Sequence, residues 1–354
     1  MSDFSIIIVT WNALHHLKTY LPSVWEYSHR DAGIILADNA STDGTAEWVT
    51  EAYPDIRVIT MDKNYGYCGG NNRAAEYAKE RYLLFLNNDV EVTAGWLNPI
   101  RNMLNRDESV AAVQPKLCSW RDCDFFEYAG AAGGMLDRFG YPFCRGRIFD
   151  TLEKDVGQYD DACDIAWASG AALAIRKDRF RECGGFDESF EFHMEEIDLC
   201  WQLRNRGYRV RYCPESTVYH LGGGSLPPDS PRKVYYNYRN NLKMIWKNSA
   251  PGQLSFRFAI RILLDYLSLL RYLTGGQTGE AGAVIRAHYH FLMSLSDTRE
   301  KRKILIKSRF TSSDRALLEP YSIIWQYFVR RRKTFDQLPQ KDRNSLLNND
   351  RQTD

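Results

Sequence analysis

The first hundred residues alternate short apolar runs with longer amphipathic stretches. Phe4–Thr10 (FSIIIVT) is β-branched and almost wholly apolar, the pattern of a parallel strand buried on both faces. A polar turn and a helical stretch over residues 14–27 follow. Residues 33–37 (GIILA), 57–60 (RVIT) and 82–86 (YLLFL) read as three further strands. One helix follows the second strand, and another is expected around 72–80. This alternation predicts an α/β fold: a doubly wound, Rossmann-like, mostly parallel central sheet. Ligands of such sheets bind at the carboxyl ends of the strands. Polar clusters stand there: Thr10-Trp11-Asn12, Asp38, residues 64–71, and Asn87-Asn88-Asp89.

Residues 111–175 read as mixed strands and long loops, with turns at Gly130, Gly133, Gly134, Gly140 and Gly146. Gly184-Gly185-Phe186-Asp187, a helix over about 195–206 and a strand over 208–212 come next. Tyr219-His220-Leu221-Gly222-Gly223-Gly224-Ser225 reads as a flexible tail to that strand. Pro227, Pro228 and Pro231 mark a boundary, beyond which the pattern is helical to about Lys333 and polar to Asp354.

Composition narrows the classes. A chain of 354 residues, 44% hydrophobic and 26% charged, has the balance of a globular protein with a substantial core. A net charge of +1 gives no reason to expect a nucleic-acid partner. The eight cysteines form no C-x-x-C pair; Cys118 and Cys123 come closest and lack a matching second pair, which argues against structural zinc. The opening Met-Ser-Asp-Phe-Ser lacks the basic segment of a signal peptide, and scattered thiols suit a reducing cytoplasm. The most apolar stretch, 258–273, is interrupted by Arg261, Asp265 and Arg271, so no membrane span is expected.

Asp89 at a strand end has the chemistry to hold Mg²⁺ or Mn²⁺ on a diphosphate, although Asn and Asp are also ordinary turn residues. The glycines among Asn64, Gly66, Gly69, Gly70 and Asn71 suggest a loop whose backbone approaches a diphosphate or base closely.

Taken in order, residues 5–12 (SIIIVTWN), 38–45 (DNASTDGT), 64–71 (NYGYCGGN), 86–90 (LNNDV), 184–187 (GGFD) and 195–210 (EEIDLCWQLRNRGYRV) resemble the inverting family-two glycosyltransferases, nearest their rhamnosyltransferase-like branch. The resemblance spans roughly residues 4–245. It implies a GT-A fold with a helical C-terminal extension. It also implies transfer of one sugar from a nucleotide-diphospho-sugar, dTDP- or UDP-linked, to a hydroxyl of a glycan or lipid-linked glycan precursor. Thr10, Asn12, Asp38, Asn64, Gly66, Gly69, Asn71 and Asn88 would then serve donor binding, with Asp38 on the base or ribose. A divalent metal, Mn²⁺ or Mg²⁺, would sit on Asp89, with His220 as second ligand. The family often carries Asp-x-Asp where this chain has Asn87-Asn88-Asp89. Inverting displacement needs a carboxylate to take the acceptor proton. Glu196 is the first choice and Glu195 the second. Asp198 either joins them or fixes the helix N-terminus. Relatives use residues near 167–171 to shape the sugar pocket; a tight strand junction explains them equally well.

On this reading residues 1–230 form the catalytic domain, with a nucleotide-sugar half at 1–110 and an acceptor and base half at 111–230. Residues 231–335 are a helical extension and 336–354 a polar, flexible tail. Within 254–274, Arg257, Arg261, Asp265 and Ser268 form one narrow polar stripe on an otherwise apolar helix. Basic clusters follow at 299–309 and 330–333. These helices either dock on an anionic membrane, peripherally at the inner face of the plasma membrane, or pack on the catalytic domain. Other functions fit less well. A dehydrogenase would need G-x-G-x-x-G after the first strand, a glycoside hydrolase would not need four strand-end clusters, and a processive synthase would show spans and Gln-x-x-Arg-Trp. The remaining alternative is a catalytically weak nucleotide-sugar-binding scaffold subunit.

Overall fold

The computed structural model describes residues 2–222, 230–309, 314 and 318–340. The apolar runs form β1 (Phe4–Thr10), β2 (Ala32–Asp38), β3 (Arg57–Thr60) and β4 (Tyr82–Asn87), all parallel in the order β4-β1-β2-β3. Register aligns the polar ends: Thr10 pairs with Asp38, Asp38 with Thr60, and Val9 with Asn87. Alternate residues feed two cores, Ile7 and Phe85 on one face, Ile6, Ile8 and Leu84 on the other. Helices α1 (Leu14–Ser28), α2 (Thr45–Ala52) and α3 (Gly66–Ala75) make the crossovers.

The glycine-rich segment is thus not a loop but the first turns of α3. Gly69, Gly70 and Asn71 are buried in it. A Cβ on Gly70 would lie 2.8 Å from Val9 Cγ1 and 3.0 Å from Asn39 Nδ2; one on Gly69 would lie 2.8 Å from Tyr65 Cβ. The glycines let the helix approach the end of β1.

The second half mixes strand directions. β5 (Val90–Val92) and α4 (Leu97–Arg106) lead to β6 (Val110–Ser119). A small antiparallel sheet follows, made of β7 (Gly134–Leu136), β8 (Pro142–Cys144), β9 (Arg147–Ile148) and β10 (Thr151–Leu152). Then come β11 (Cys163–Asp164), β12 (Ala172–Arg176), α5 (Lys177–Glu182), α6 (Glu195–Asn205) and β13 (Arg209–His220). β12 inserts antiparallel between β4 and β6, while β13 runs parallel to β6. The strand expected over 208–212 therefore continues to His220, whose backbone pairs with both Ser119 and Val90. Tyr219 and His220 are strand, not tail; residues 223–229, including Pro227 and Pro228, lie outside the described residues.

Four helices follow: α7 (Pro231–Asn248), α8 (Pro251–Thr274), α9 (Thr278–Met293) and α10 (Leu295–Lys307). Ser230 caps α7 by accepting the Lys233 N–H, with Pro231 at its first turn. No helix among the described residues is long and apolar enough to cross a membrane. Helix α8 packs inside out. Its buried residues are Arg257, Arg261 and Asp265, the polar stripe, whereas Leu263, Leu267 and Leu270 are more than half exposed. The buried charges are paired: Arg257 with Asp314 at 2.6 Å, Arg261 with Asp265 at 2.8 Å, and Asp265 with His288 of α9 at 2.9 Å. Beyond α10, Phe335 and Leu338 are buried against the small-sheet region, so Leu338 of the expected tail is packed while residues 336, 337, 339 and 340 are exposed.

Candidate active site

The carboxyl ends of β1, β2 and β4 form one polar shelf. Thr10 and Asp38 are buried there, and Asn88 donates to Thr10 Oγ1 at 3.1 Å. Asp38 accepts the Ser41 N–H at 3.2 Å, shaping the loop after β2. Asn12 has a left-handed backbone (φ 48°), and its Oδ1 accepts the Thr42 N–H at 2.7 Å, lacing the two loops together. Asp43 accepts from Leu14 N–H at 3.0 Å and Thr45 N–H at 3.2 Å, serving the starts of both α1 and α2. Asn64 is exposed and turns the chain into α3 by accepting the Gly66 N–H at 2.8 Å. Gly69 and Asn71 do not reach the shelf: both are buried, and Asn71 donates to Tyr67 O at 3.0 Å within its own helix. Their expected donor contacts give way to packing. Trp11, absent from the expected set, is 54% exposed beside Thr10 and Asn12 and offers an aromatic face.

Strand pairing between β5 and β13 brings Asp89 and His220 together. His220 Nε2 lies 3.1 Å from Asp89 Oδ1 and 3.3 Å from Asn87 Nδ2. Its other nitrogen, Nδ1, lies 3.3 Å from Glu127 Oε1. Burial alone would lower the His220 pKa, but the carboxylates of Glu127 and Asp89 raise it to about 10. Burial would likewise raise Asp89, and the His220 charge brings it below its ordinary value. Glu127 was missed in the sequence because it follows β6 in an irregular stretch with no motif around it. No group of three His, Cys, Asp or Glu side chains disposed to hold a metal occurs among the described residues. With the His220 proton displaced by the ion, the Asp89–His220 pair suits Mn²⁺ or Mg²⁺, because such ions keep waters and phosphate oxygens for most of their coordination. A carboxylate on the far nitrogen is the usual support of a ligating histidine.

The second cluster opens α6. Glu195 and Glu196 each have an Oε2 sealed from solvent with no hydrogen-bond partner. Burial raises Glu195 well above the usual carboxylate range, and the neighbouring Glu196 charge adds to it. Burial pushes Glu196 up to about 7 against the backbone N–H groups at the helix start. Two adjacent carboxyls with raised proton affinities suit acid–base chemistry near neutrality.

The chain reaches these residues through strained backbone: Glu191, His193 and Met194 have φ of 64°, 65° and 75°. Helix α7 holds that loop. Asn240 Nδ2 donates to the carbonyls of Phe190 (2.8 Å), Phe192 (2.6 Å) and His193 (2.9 Å). Arg239 donates to Phe190 O at 2.9 Å and pairs with Glu191 at 2.9 Å. Asp198 does not belong with the acid–base pair. It is buried and bound by Lys247 (2.8 Å), Asn248 (2.7 Å) and Gln202 (2.8 Å), which leaves it a tie between α6 and α7. Lys247 also bridges to Asp187 at 2.6 Å, anchoring the Gly184–Asp187 turn. Among the described residues no hydrogen bond or ion pair joins the glutamate pair to the Asp89–His220 pair; Tyr67 on α3 donates to Gly170 O at 2.8 Å.

Residues 5–130 match the family model for Glycosyl transferase family 2. The N-acetylglucosaminyl-diphospho-decaprenol L-rhamnosyltransferase of Mycobacterium tuberculosis is 28% identical over 233 residues, 61% of this chain and 75% of that one. The rhamnosyltransferase WbbL of Escherichia coli (strain K12) is 28% identical over 281 residues, 76% of this chain and 94% of that one. Among solved structures, GalNAc-T7 with UDP, GalNAc and Mn²⁺ superposes with a TM-score of 0.56 at 17% identity, covering 74% of this chain and half of that one. That likeness extends to the mostly parallel sheet and its helices, the GT-A fold.

Proposed function

Because this chain is a family-2 glycosyltransferase of GT-A fold, we propose that it moves one sugar, with inversion, from a dTDP- or UDP-sugar to a hydroxyl of a glycan or lipid-linked glycan precursor. The observation that carries the reading is the glutamate pair at the start of α6, each with one carboxyl oxygen shut off from solvent and unpartnered, and reached through a strained loop. Glu196 takes the acceptor proton as the hydroxyl attacks the anomeric carbon, and the nucleoside diphosphate leaves. Thr10, Asn12, Asp38, Asn64, Gly66 and Asn88 form the donor shelf. Asp89 and His220 would hold a divalent ion there, which when bound neutralises charge on the departing diphosphate. Glu127 keeps the His220 ring turned toward Asp89. The two rhamnosyltransferase relatives make an activated deoxyhexose such as rhamnose the first donor to try. Eight free cysteines support action on the cytoplasmic side.

The test is a titration with UDP, dTDP and GDP, each with Mn²⁺, Mg²⁺ or EDTA, followed by thermal unfolding. A ligand that binds only the folded chain raises the midpoint by mass action. We expect a metal-dependent rise for one nucleotide, lost in Asp89→Ala. No rise under any metal condition overturns the donor-site assignment.

A further inference from the structure

Helix α8 turns its charges inward and its leucines outward, and α9 continues the exposed surface. Ten large apolar side chains of α8 and α9 are more than half exposed, among them Leu263, Leu267 and Leu270 on α8 and Ile285, Tyr289 and Leu292 on α9. Their spacings, 263-267-270 and 285-289-292, place each set on one helix face. An apolar stripe of this kind normally faces a core, and monomers rarely leave so large a patch in water. Here the core-facing positions are taken by Arg257, Arg261 and Asp265, fixed by ion pairs and by Arg257 Nε donating to Arg138 O at 2.9 Å. The helix therefore has no alternative roll that would bury its leucines without breaking those pairs.

Charge decides what covers the face. Neither carboxylate of α8 and α9 is exposed: Asp265 is buried and Glu280 half-buried. Arg271 and Arg286 are exposed. The patch continues onto the turn at Trp325–Val329, since Arg271 lies over the Phe328 ring at 5.9 Å. Trp325 is 54% exposed there, and exposed Arg330 and Arg331 follow directly with no carboxylate between 321 and 333. A second copy of the same face would bring these cations against each other. An anionic lipid surface would receive both the leucines and the arginines.

We propose that the outer face of α8 and α9, with the Trp325–Val329 turn, seats the protein on an anionic bilayer, lying in its interface rather than crossing it. This stands on the surface alone and not on the transfer chemistry. The test is flotation of the full chain with vesicles of phosphatidylcholine, or of phosphatidylcholine with about one-third phosphatidylglycerol, paired with light scattering of the lipid-free protein. We expect flotation with anionic vesicles, little with neutral ones, and a monomer without lipid. Leu267→Glu/Leu270→Glu should abolish flotation while keeping the melting midpoint and donor hydrolysis in solution. Arg330→Glu/Arg331→Glu should weaken partitioning by at least about tenfold. Val156→Glu, which removes an exposed apolar side chain elsewhere, should change nothing. Glu196→Gln should float like the unaltered chain, which separates this proposal from the catalytic one. Failure to float, equal binding to both vesicle types, or a dimer broken by the double leucine change each overturns it.

Discussion

Glu196→Gln separates the chemical from the structural consequences of the buried glutamate pair. The substitution keeps shape and removes the titrating group. If Glu196 is the base, the rate of sugar transfer falls by about 10²–10⁴-fold. The unaltered enzyme should gain activity as pH rises through about 7, because the ionised form takes the proton and burial has raised Glu196 to that value. Burial, and after it the charge on Glu196, holds the Glu195 carboxyl well above the usual carboxylate range. Glu195→Gln keeps the Glu196 carboxyl and should leave the acid limb in place. The same groups make a stability prediction of definite sign. A carboxyl whose pKa is raised on folding stabilises the fold at low pH, and stability is lost as pH climbs from about 4.5 to about 7. The full shift corresponds to roughly 3 kcal/mol. Glu196 is half-buried, and solvent reaching it reduces the penalty to about 1–2 kcal/mol. Glu196→Gln should therefore melt higher than the unaltered chain at pH 8 and equally at pH 4.5. The assays are nucleotide release against pH and thermal unfolding at the two pH values. An unchanged acid limb in Glu196→Gln, or its disappearance in Glu195→Gln, would refute the assignment of the base.

Two packing predictions follow from the supports of the site. Asn240→Ala strips the donors from three loop carbonyls, costing about 2–4 kcal/mol in the thermal melt and lowering kcat more than donor KM as Glu191, His193 and Met194 relax. Gly70→Ala forces a methyl group against Val9 and Asn39 and should destabilise by about 1–3 kcal/mol, whereas Gly252→Ala, with open space around it, should be neutral or slightly stabilising; denaturant melts compare them.

Much of the donor half was legible because its information is local. A buried parallel strand must be apolar along its whole length, so β1, β2 and β4 stand out, and their polar ends mark the shelf. Glu195 and Glu196 open α6 where the helical pattern begins. Other features depend on which element each residue meets. The glycines at 69 and 70 look like a phosphate loop until Tyr65 is seen against the first and Val9 and Asn39 against the second. Asp198 looks like a third catalytic acid until Lys247 and Asn248 arrive from a helix about fifty residues later. Glu127 carries no sequence signal, because its partner, His220, lies far along the chain and reaches it only through the pairing of β13 with β6.

The sequence by itself determined the order of strands and helices over the first hundred residues, the polar strand ends and the position of the glutamate pair, since each follows from periodicity or from residues adjacent in the chain. It also showed that α8 has a narrow polar stripe and a wide apolar face. Which face turns inward was settled only in three dimensions. Arg257, Arg261 and Asp265 find Asp314, Asn241 and His288 waiting in the interior, and each buried charge becomes tolerable once it is paired. Periodicity measures how different the two faces of a helix are; the partners set by the tertiary structure choose which of them is hidden.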